Sequence, residues 1–278
     1  MTDKFIKEVQ AILEQAFKIK DNFYRLKYQS AGIDKKSLAL FNKETFLKLP
    51  LTTLNELAKS PYKNRCLEEK KGLNKLVFSK EADRYFLIHR DLTEIEKEAL
   101  PIKGVRRPMI LMQDVYEALE HCLFFYEHSI LPLIGEVLNP AVVYATAKQY
   151  QVDLLVIDGQ SVANFREGLL KLNLPLKAVI VVDSAFNTDS LKWSKKINVD
   201  CILSLTEFGP VAYSCPQALS KQKFVFHSYQ DTMIEPAEFA ILTSIRLRSC
   251  PMIRYKSSLP LKAVESRCSC GKASLFLY

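Results

Sequence analysis

An α/β fold with parallel strands joined by helical crossovers is what the sequence predicts, and three observations predict it. Residues 154–157, 178–182 and 199–205 are short apolar runs of the kind found in strands buried on both faces. Residues 162–172 and 190–196 lie between those runs and carry helical spacing, so strand, helix and strand alternate and imply right-handed parallel crossovers. The chain has 278 residues, 48% hydrophobic and 25% charged, which suits one large or two small buried cores and excludes disordered, collagen-like and coiled-coil classes.

The first quarter reads as helical. Phe5, Val9, Ile12, Leu13, Ala16 and Phe17 follow the i, i+3, i+4, i+7 rule of an amphipathic helix. Gly32 is a stop signal for a second helix. Leu49-Pro50-Leu51-Thr52-Thr53 breaks the pattern, and Thr53 caps a further short helix with Glu56 three residues on, as a capping box. From about residue 76 the texture changes. Residues 76–78, 85–89 and 109–112 are short strands, and Asp114 caps a long helix that runs to 130, ahead of Pro132. Residues 119–130 are apolar on several faces, so most of that stretch is expected to be buried. From about Phe224 the chain alternates without long helices. The expected organisation is a helical segment (1–75), an α/β core (76–215) and a small β-rich appendage (216–278), packed as one unit.

Composition narrows the function. Basic residues outnumber acidic ones 39 to 31, giving a net charge of +8. They are scattered among acids and apolar residues, with no cluster interleaved with aromatics and no nucleic-acid motif. A solvated basic surface follows, available to an acidic protein partner or an anionic membrane face. No apolar run approaches the ~20 residues of a spanning helix. Lys7, Glu8, Glu14 and Lys18 interrupt the N-terminal stretch, unlike a secretory signal. Seven cysteines, an odd number, fit thiols or metal ligands in a cytoplasmic protein better than disulfides. Only 8 glycines are present, which leaves little for glycine-rich phosphate loops.

Three segments carry a resemblance. Phe23-Tyr24-Arg25-Leu26-Lys27-Tyr28 is followed by Ala31-Gly32-Ile33-Asp34 and by Leu49-Pro50-Leu51-Thr52-Thr53, with Glu56-Leu57 beyond. Leu205-Thr206-Glu207-Phe208-Gly209 continues through Pro210 to Cys215. Cys250-Pro251-Met252-Ile253-Arg254-Tyr255-Lys256 precedes Cys268-Ser269-Cys270-Gly271. In order and rough spacing these are similar to the adenylate-forming (AMP-forming ligase) superfamily, and specifically to its phenylacetate–CoA ligase-like branch. The resemblance covers most of the chain. It implies the N-terminal α/β domain of such an enzyme, with a parallel or mixed sheet flanked by helices. The family's chemistry is activation of a carboxylate by ATP to an acyl-adenylate, then transfer to a thiol, and the resemblance places Thr206 and Glu207 at the α-phosphate and Mg²⁺.

The departures bear on that chemistry. The family's lysine after Thr-Thr is Leu54 here. The place of the phosphate loop reads Ser79-Lys80-Glu81-Ala82-Asp83-Arg84-Tyr85, with no glycine and two acids. The Tyr-Gly ahead of the Thr-Glu pair is Leu203-Ser204. The Thr-Gly-Asp after Arg254-Tyr255-Lys256 is Ser257-Ser258-Leu259, and leucine cannot hold a ribose diol. The resemblance implies a further C-terminal domain with a catalytic lysine, and the expectation is that this protein lacks it. The expectation is therefore a pseudoenzyme with vestigial Thr206 and Glu207, and no catalytic residues.

A metal site is expected beside this. Cys268-x-Cys270-Gly271 is a tight thiolate pair whose glycine permits the turn. Cys215 and His227 complete a Cys₃His set suited to structural zinc, and relatives in the branch carry a similar pattern. Cys250 stands in if His227 points away; the alternative is three ordinary buried thiols and a surface histidine. Cys66, Cys122 and Cys201 sit in apolar surroundings and read as core residues. His89, His121 and His128 lack the companions of acid–base catalysis. Ser161 lacks the second glycine of a nucleophile elbow. Asp153, Asp158 and Asp183 flank buried strands, where α/β proteins bind ligands and where turns also need Asp.

The functional expectation is a non-catalytic scaffold subunit of a larger bacterial complex, with other protein subunits as partners, no nucleic acid, and membrane association only through those partners. A lysine-rich chain of this kind is similar to accessory subunits of secretion-system coupling complexes, such as those of type IV secretion. The competing expectation is a ligand-binding or partner-dependent acyl-adenylating enzyme or sensor for an aryl or acyl carboxylate.

Overall fold

The computed structural model describes residues 2–80, 82–96, 104–186, 192–193, 196–219, 224–235 and 237–277. Six helices come first: α1 (Asp3–Lys18), α2 (Phe23–Ser30), α3 (Lys35–Ala39), α4 (Lys43–Lys48), α5 (Leu54–Lys59) and α6 (Tyr62–Arg65). Strands β1 (Gly72–Ser79) and β2 (Arg84–Asp91) and the short α7 (Leu92–Glu96) follow. The α/β stretch runs β3 (Pro108–Leu111), α8 (Val115–Glu127), β4 (Leu133–Ile134), α9 (Pro140–Tyr150), β5 (Leu154–Asp158), α10 (Gly159–Lys171), β6 (Ala178–Asp183), β7 (Asn198–Leu205) and β8 (Gly209–Ser214). The remainder comprises α11 (Pro216–Leu219), β9 (Phe226–Ser228), β10 (Thr232–Glu235), β11 (Ile241–Ser244), β12 (Met252–Lys256), β13 (Leu261–Arg267) and β14 (Ala273–Leu277).

Local chemistry fixes the helix ends. Thr2 caps α1 by accepting the Phe5 N–H, and Val9, Leu13, Ala16 and Phe17 form its buried stripe. Gly32 takes φ +80° just after α2, a value that favours glycine and stops the helix as expected. The capping box of α5 is formed: Glu56 N–H donates to Thr53 Oγ1 at 3.2 Å, and Thr53 N–H donates to Glu56 Oε2 at 2.8 Å. Asp114 caps α8 through the Tyr116 and Glu117 N–H groups. That helix ends at Glu127, short of the expected residue 130, because Ser129 turns left-handed at φ +59°.

The chain divides into two compact units. One takes the chain up to Glu94 together with Ser228–Lys262; the other takes Ile95–His227 together with the chain from Ala263 onward. The stretch expected to form a C-terminal appendage is thus shared between them. In the first unit, helices α1 to α4 bury Phe17, Tyr24, Tyr28 and Phe46 in one cluster with Ile253. Strands β10, β11 and β12 form an antiparallel sheet there, and β1 pairs with β2. Thr52 bridges to β12, exchanging hydrogen bonds with Arg254 and Lys256 at 2.8 Å. Tyr24 Oη donates to the Pro251 carbonyl at 2.7 Å and accepts from Ile253 N–H. Arg254, at φ +46°, sets its guanidinium on both Glu235 oxygens and on the Leu47 and Leu49 carbonyls. Two separated sequence motifs are thereby welded into one core.

Cys66 and Cys250 are bonded to each other, their Cα atoms 4.5 Å apart. This corrects two expectations: the cysteines are not all unpaired, and Cys250 is not a spare metal ligand.

The second unit holds a nine-stranded sheet in the order β13-β14-β9-β8-β7-β6-β5-β3-β4. Strands β4, β3, β5, β6 and β7 run parallel, and β8 is antiparallel to β7. The apolar runs do form the central strands, with Val156, Ile180 and Leu203 fully buried. Helices α8, α9 and α10 are the crossovers. The helix expected at 190–196 falls largely outside the described residues, as does Glu81. One burial expectation fails: Leu119 and Tyr126 of α8 are exposed, while its polar Glu120 and His121 are buried.

Candidate functional site

Two places in the second unit gather chemistry-bearing side chains. The first is a cleft of about 280 Å³ beyond the carboxyl ends of β3, β5, β6 and β7, where open α/β sheets bind ligands. Thr206 and Glu207 line it, and Thr206 Oγ1 donates to Glu117 Oε1 at 3.3 Å. Asp114, Glu117, Asp158, Asp183 and Glu207 all line the cleft, and among the described residues no lysine or arginine does. Sequence reasoning had Asp158 and Asp183 as ligand-site candidates but missed Glu117. Its signal was its place one turn into the helix that follows a buried strand.

Carboxylates already occupy the helix end that faces the cleft. Asp158 caps α10, accepting the Ser161 N–H through Oδ1 at 2.7 Å and the Gln113 N–H through Oδ2 at 2.7 Å. Asp183 lies so close that a Cβ on Gly159 would stand 1.9 Å from its Oδ2. Burial, reinforced by the Asp158 charge, pushes the Asp183 carboxyl above its ordinary range, against the Ser184 and Ala185 N–H groups that hold it down. The partial positive charge of the helix N-terminus is therefore answered from within. A phosphate brought within about 5 Å of any one carboxylate would meet repulsion on the order of 3 kcal/mol at an effective dielectric of about 20.

The segment in the place of the phosphate loop belongs to the first unit. Strands β1 and β2 pair in full register from Gly72↔Asp91 to Ser79↔Arg84, leaving four residues for the turn. Ser79 Oγ accepts the Ala82 N–H, and Asp83 takes φ +46°. Leu259, where the ribose-binding aspartate would stand, is buried, and Ser257 donates to the Ala240 carbonyl.

The second place is a cluster of Cys215, His227, Cys268 and Cys270, whose ligand atoms all lie within 4.8 Å of one another. Cys215 follows β8, His227 sits in β9, and Cys268 and Cys270 fall in the turn between β13 and β14. Gly271 takes φ +83° in that turn, the conformation the sequence called for. The Cys215 and Cys268 sulfurs are 3.5 Å apart, and Cys270 Sγ is 3.1 Å from His227 Nε2. His227 Nδ1 lies 2.7 Å from the Ala273 carbonyl. Nδ1 must carry the proton to donate there, which leaves the Nε2 lone pair facing the three sulfurs. The Cys270 N–H, with the neighbouring thiols, brings Cys268 down to about 7, so its thiolate is accessible near neutral pH. Burial raises Cys215. The donor set fits a tetrahedral metal ion. His227 points inward, so the alternative of a surface histidine is not realised.

Other sequence candidates have structural partners. Asp153 accepts the Arg106 and Arg107 N–H groups at the amino ends of the strands, away from the cleft. His89 pairs with Asn74, His128 with the Phe124 carbonyl, and Ser161 is buried. Cys122 and Cys201 are unpaired thiols.

No family model matches the sequence, and no curated protein sequence matches it. Solved structures do resemble the fold. A 2-hydroxyisobutyryl-CoA ligase in an open conformation, in complex with 2-HIB-AMP and CoA, superposes with a TM-score of 0.73 at 14% identity over 98% of this chain and 72% of its own. An o-succinylbenzoate CoA synthetase from Bacillus subtilis gives 0.56 at 10% identity, covering 74% of this chain and 48% of its own. The N-terminal domain of FACL13 from Mycobacterium tuberculosis gives 0.55 at 12% identity, covering 88% of this chain and 66% of its own. The chain has the fold of the N-terminal part of adenylate-forming acyl-CoA ligases. None of its described helices is long and apolar enough to cross a membrane.

Proposed function

We propose that this chain is a non-catalytic member of the adenylate-forming fold that acts by binding, as a cytoplasmic scaffold subunit of a larger assembly of proteins. The observation that carries the proposal is the lining of the cleft. Among the described residues five carboxylates and no lysine or arginine line it, and the helix end there is already capped by acid. The four-residue turn between β1 and β2 supports the same reading. The metal cluster fits zinc in a structural role, because four protein ligands leave no open position for water or substrate. A bacterial coupling complex of the type IV secretion kind is a candidate setting.

The competing reading is a sensor or partner-dependent adenylating enzyme for an aryl or acyl carboxylate. The presence of Thr206 and Glu207 on one cleft favours it. Calorimetric titration of ATP and of AMP with Mg²⁺, together with pyrophosphate exchange, separates the two. The scaffold reading expects no saturable heat at millimolar nucleotide and no exchange. Saturable nucleotide binding or measurable exchange by the chain alone supports the enzyme reading.

A further inference from the structure

Helix α8 is apolar on the wrong side. Ala118, Phe124 and Phe125 face the core together with Glu120 and His121. At 100° per residue, Val115, Leu119, Cys122, Leu123 and Tyr126 fall on the opposite face. Val115 is 61% exposed, Leu119 37% and Tyr126 63%. A helix that is hydrophobic all round normally sits inside a protein. From Val115 to Tyr126 the stripe rises eleven steps, roughly 17 Å. Beyond it the chain enters β4, which ends the nine-stranded sheet, and there Leu131, Ile134 and Leu138 are also exposed.

Charge adds an independent observation about what covers this face. The chain has 39 lysines and arginines, yet none occurs from Pro108 to Ala147. The charged residues of that stretch, histidines aside, are Asp114, Glu117, Glu120, Glu127 and Glu136, and Glu127 and Glu136 are exposed. An anionic membrane is repelled by such a surface. A second copy docking face to face would set acid against acid. An apolar helix stripe flanked by acid is complementary to an amphipathic helix flanked by lysine and arginine.

We propose that α8, with the neighbouring β4 edge, is the docking face for a basic amphipathic helix of a partner protein. This rests on the scaffold reading and names the chemistry of one partner. The partner helix lays its apolar stripe along Val115, Leu119, Leu123 and Tyr126, and its basic flanks meet Glu127 and Glu136.

The test uses two helical peptides of roughly 18 residues with the same leucine stripe, one with lysine and one with glutamate at all other positions. Fluorescence anisotropy should show the lysine peptide binding at micromolar Kd and the glutamate peptide at least tenfold weaker. Val115→Lys with Tyr126→Lys should weaken the lysine peptide at least tenfold. Both positions are largely exposed, so circular dichroism and thermal melting should match the parent. An Asp158→Asn, Asp183→Asn variant should bind the lysine peptide as the parent does, which separates α8 from the acidic cleft. Equal binding of the two peptides, or binding unaffected by the α8 substitutions, overturns the proposal. So does a dimer in sedimentation equilibrium that Tyr126→Lys dissociates. Either failure leaves the nucleotide titrations as they were, whereas nucleotide binding or exchange overturns the scaffold reading whatever the peptides do.

Discussion

Lys27 and Glu56 show how single residues hold the first motif in place. Glu56 completes the capping box of α5 and also receives the Lys27 ammonium. Burial pushes its carboxyl up, but Lys27 and the Thr53 N–H outweigh it, so the carboxyl sits below its ordinary value of 4.5. The sign follows: the stabilisation is present above pH about 4.5 and is lost as pH falls through the depressed value. Its side chain is 43% exposed, so screening keeps the pair under about 1 kcal/mol. Urea unfolding should show Glu56→Gln less stable than the parent at pH 7, with the gap narrowing as pH falls below 4.5; a gap independent of pH would refute the assignment. The metal ligands carry more. Elemental analysis should find stoichiometric zinc in the parent and none in Cys268→Ser or Cys270→Ser. Ligand at a thousandfold over its Kd contributes about 4 kcal/mol, and losing that should lower the melting temperature by several degrees. Zinc-free parent protein, or variants that melt unchanged, would remove the structural-metal role.

At the scale of elements, packing decides what propensity alone would misjudge. Gly168 lies inside α10, where glycine costs about 1 kcal/mol relative to alanine. A Cβ there would stand 2.2 Å from Tyr144 Cζ, and Tyr144 Oη donates to the Asn164 carbonyl of the same helix. Gly168→Ala should therefore destabilise, by about 1–3 kcal/mol of overpacking less the propensity gain. Tyr144→Leu in the same chain should restore the gain, read as urea midpoints. The sequence showed the helix but not this contact, because the ring arrives from α9. The same boundary runs through the whole reading. Strands β5, β6 and β7, the α5 capping box, the Asp114 cap and the Cys-x-Cys turn were legible, since each is written in neighbouring residues. The Cys66–Cys250 pair was not, because its members are 184 residues apart and only the folded first unit brings them together. The exposed stripe of α8 was also misread: an apolar helix reads as buried whether its second face meets the core or a partner. Glu117 joined the cleft only once β7 delivered Thr206 to it.

At the scale of the whole molecule, the metal cluster has a definite mechanical place. All four ligands come from one end of the nine-stranded sheet, where β13, β14, β9 and β8 adjoin. Part of that end is thinly paired. Strand β9 has three residues, and its described register with β14 is the single pair Leu275↔Phe226. The centre is different: β6 and β7 pair over six residues, from Ala178↔Asn198 to Asp183↔Leu203, and are buried along most of their length. Backbone hydrogen bonds in short outer strands open at low free-energy cost unless something else ties them, whereas central strands open only with global unfolding. A metal ion held by these four ligands would join β8, β9 and the β13–β14 turn and supply that tie. Chelation at neutral pH should consequently raise amide hydrogen exchange at Phe226, His227, Lys272 and Leu275 by at least tenfold, with little change at Val156, Ile180 or Cys201. The core of α1 around Val9 and Leu13 belongs to the other compact unit and should keep its protection. Readdition of zinc should restore the slow exchange. Uniform acceleration across both units would mean that the metal sets global stability, and no change anywhere would mean that the outer strands hold without it.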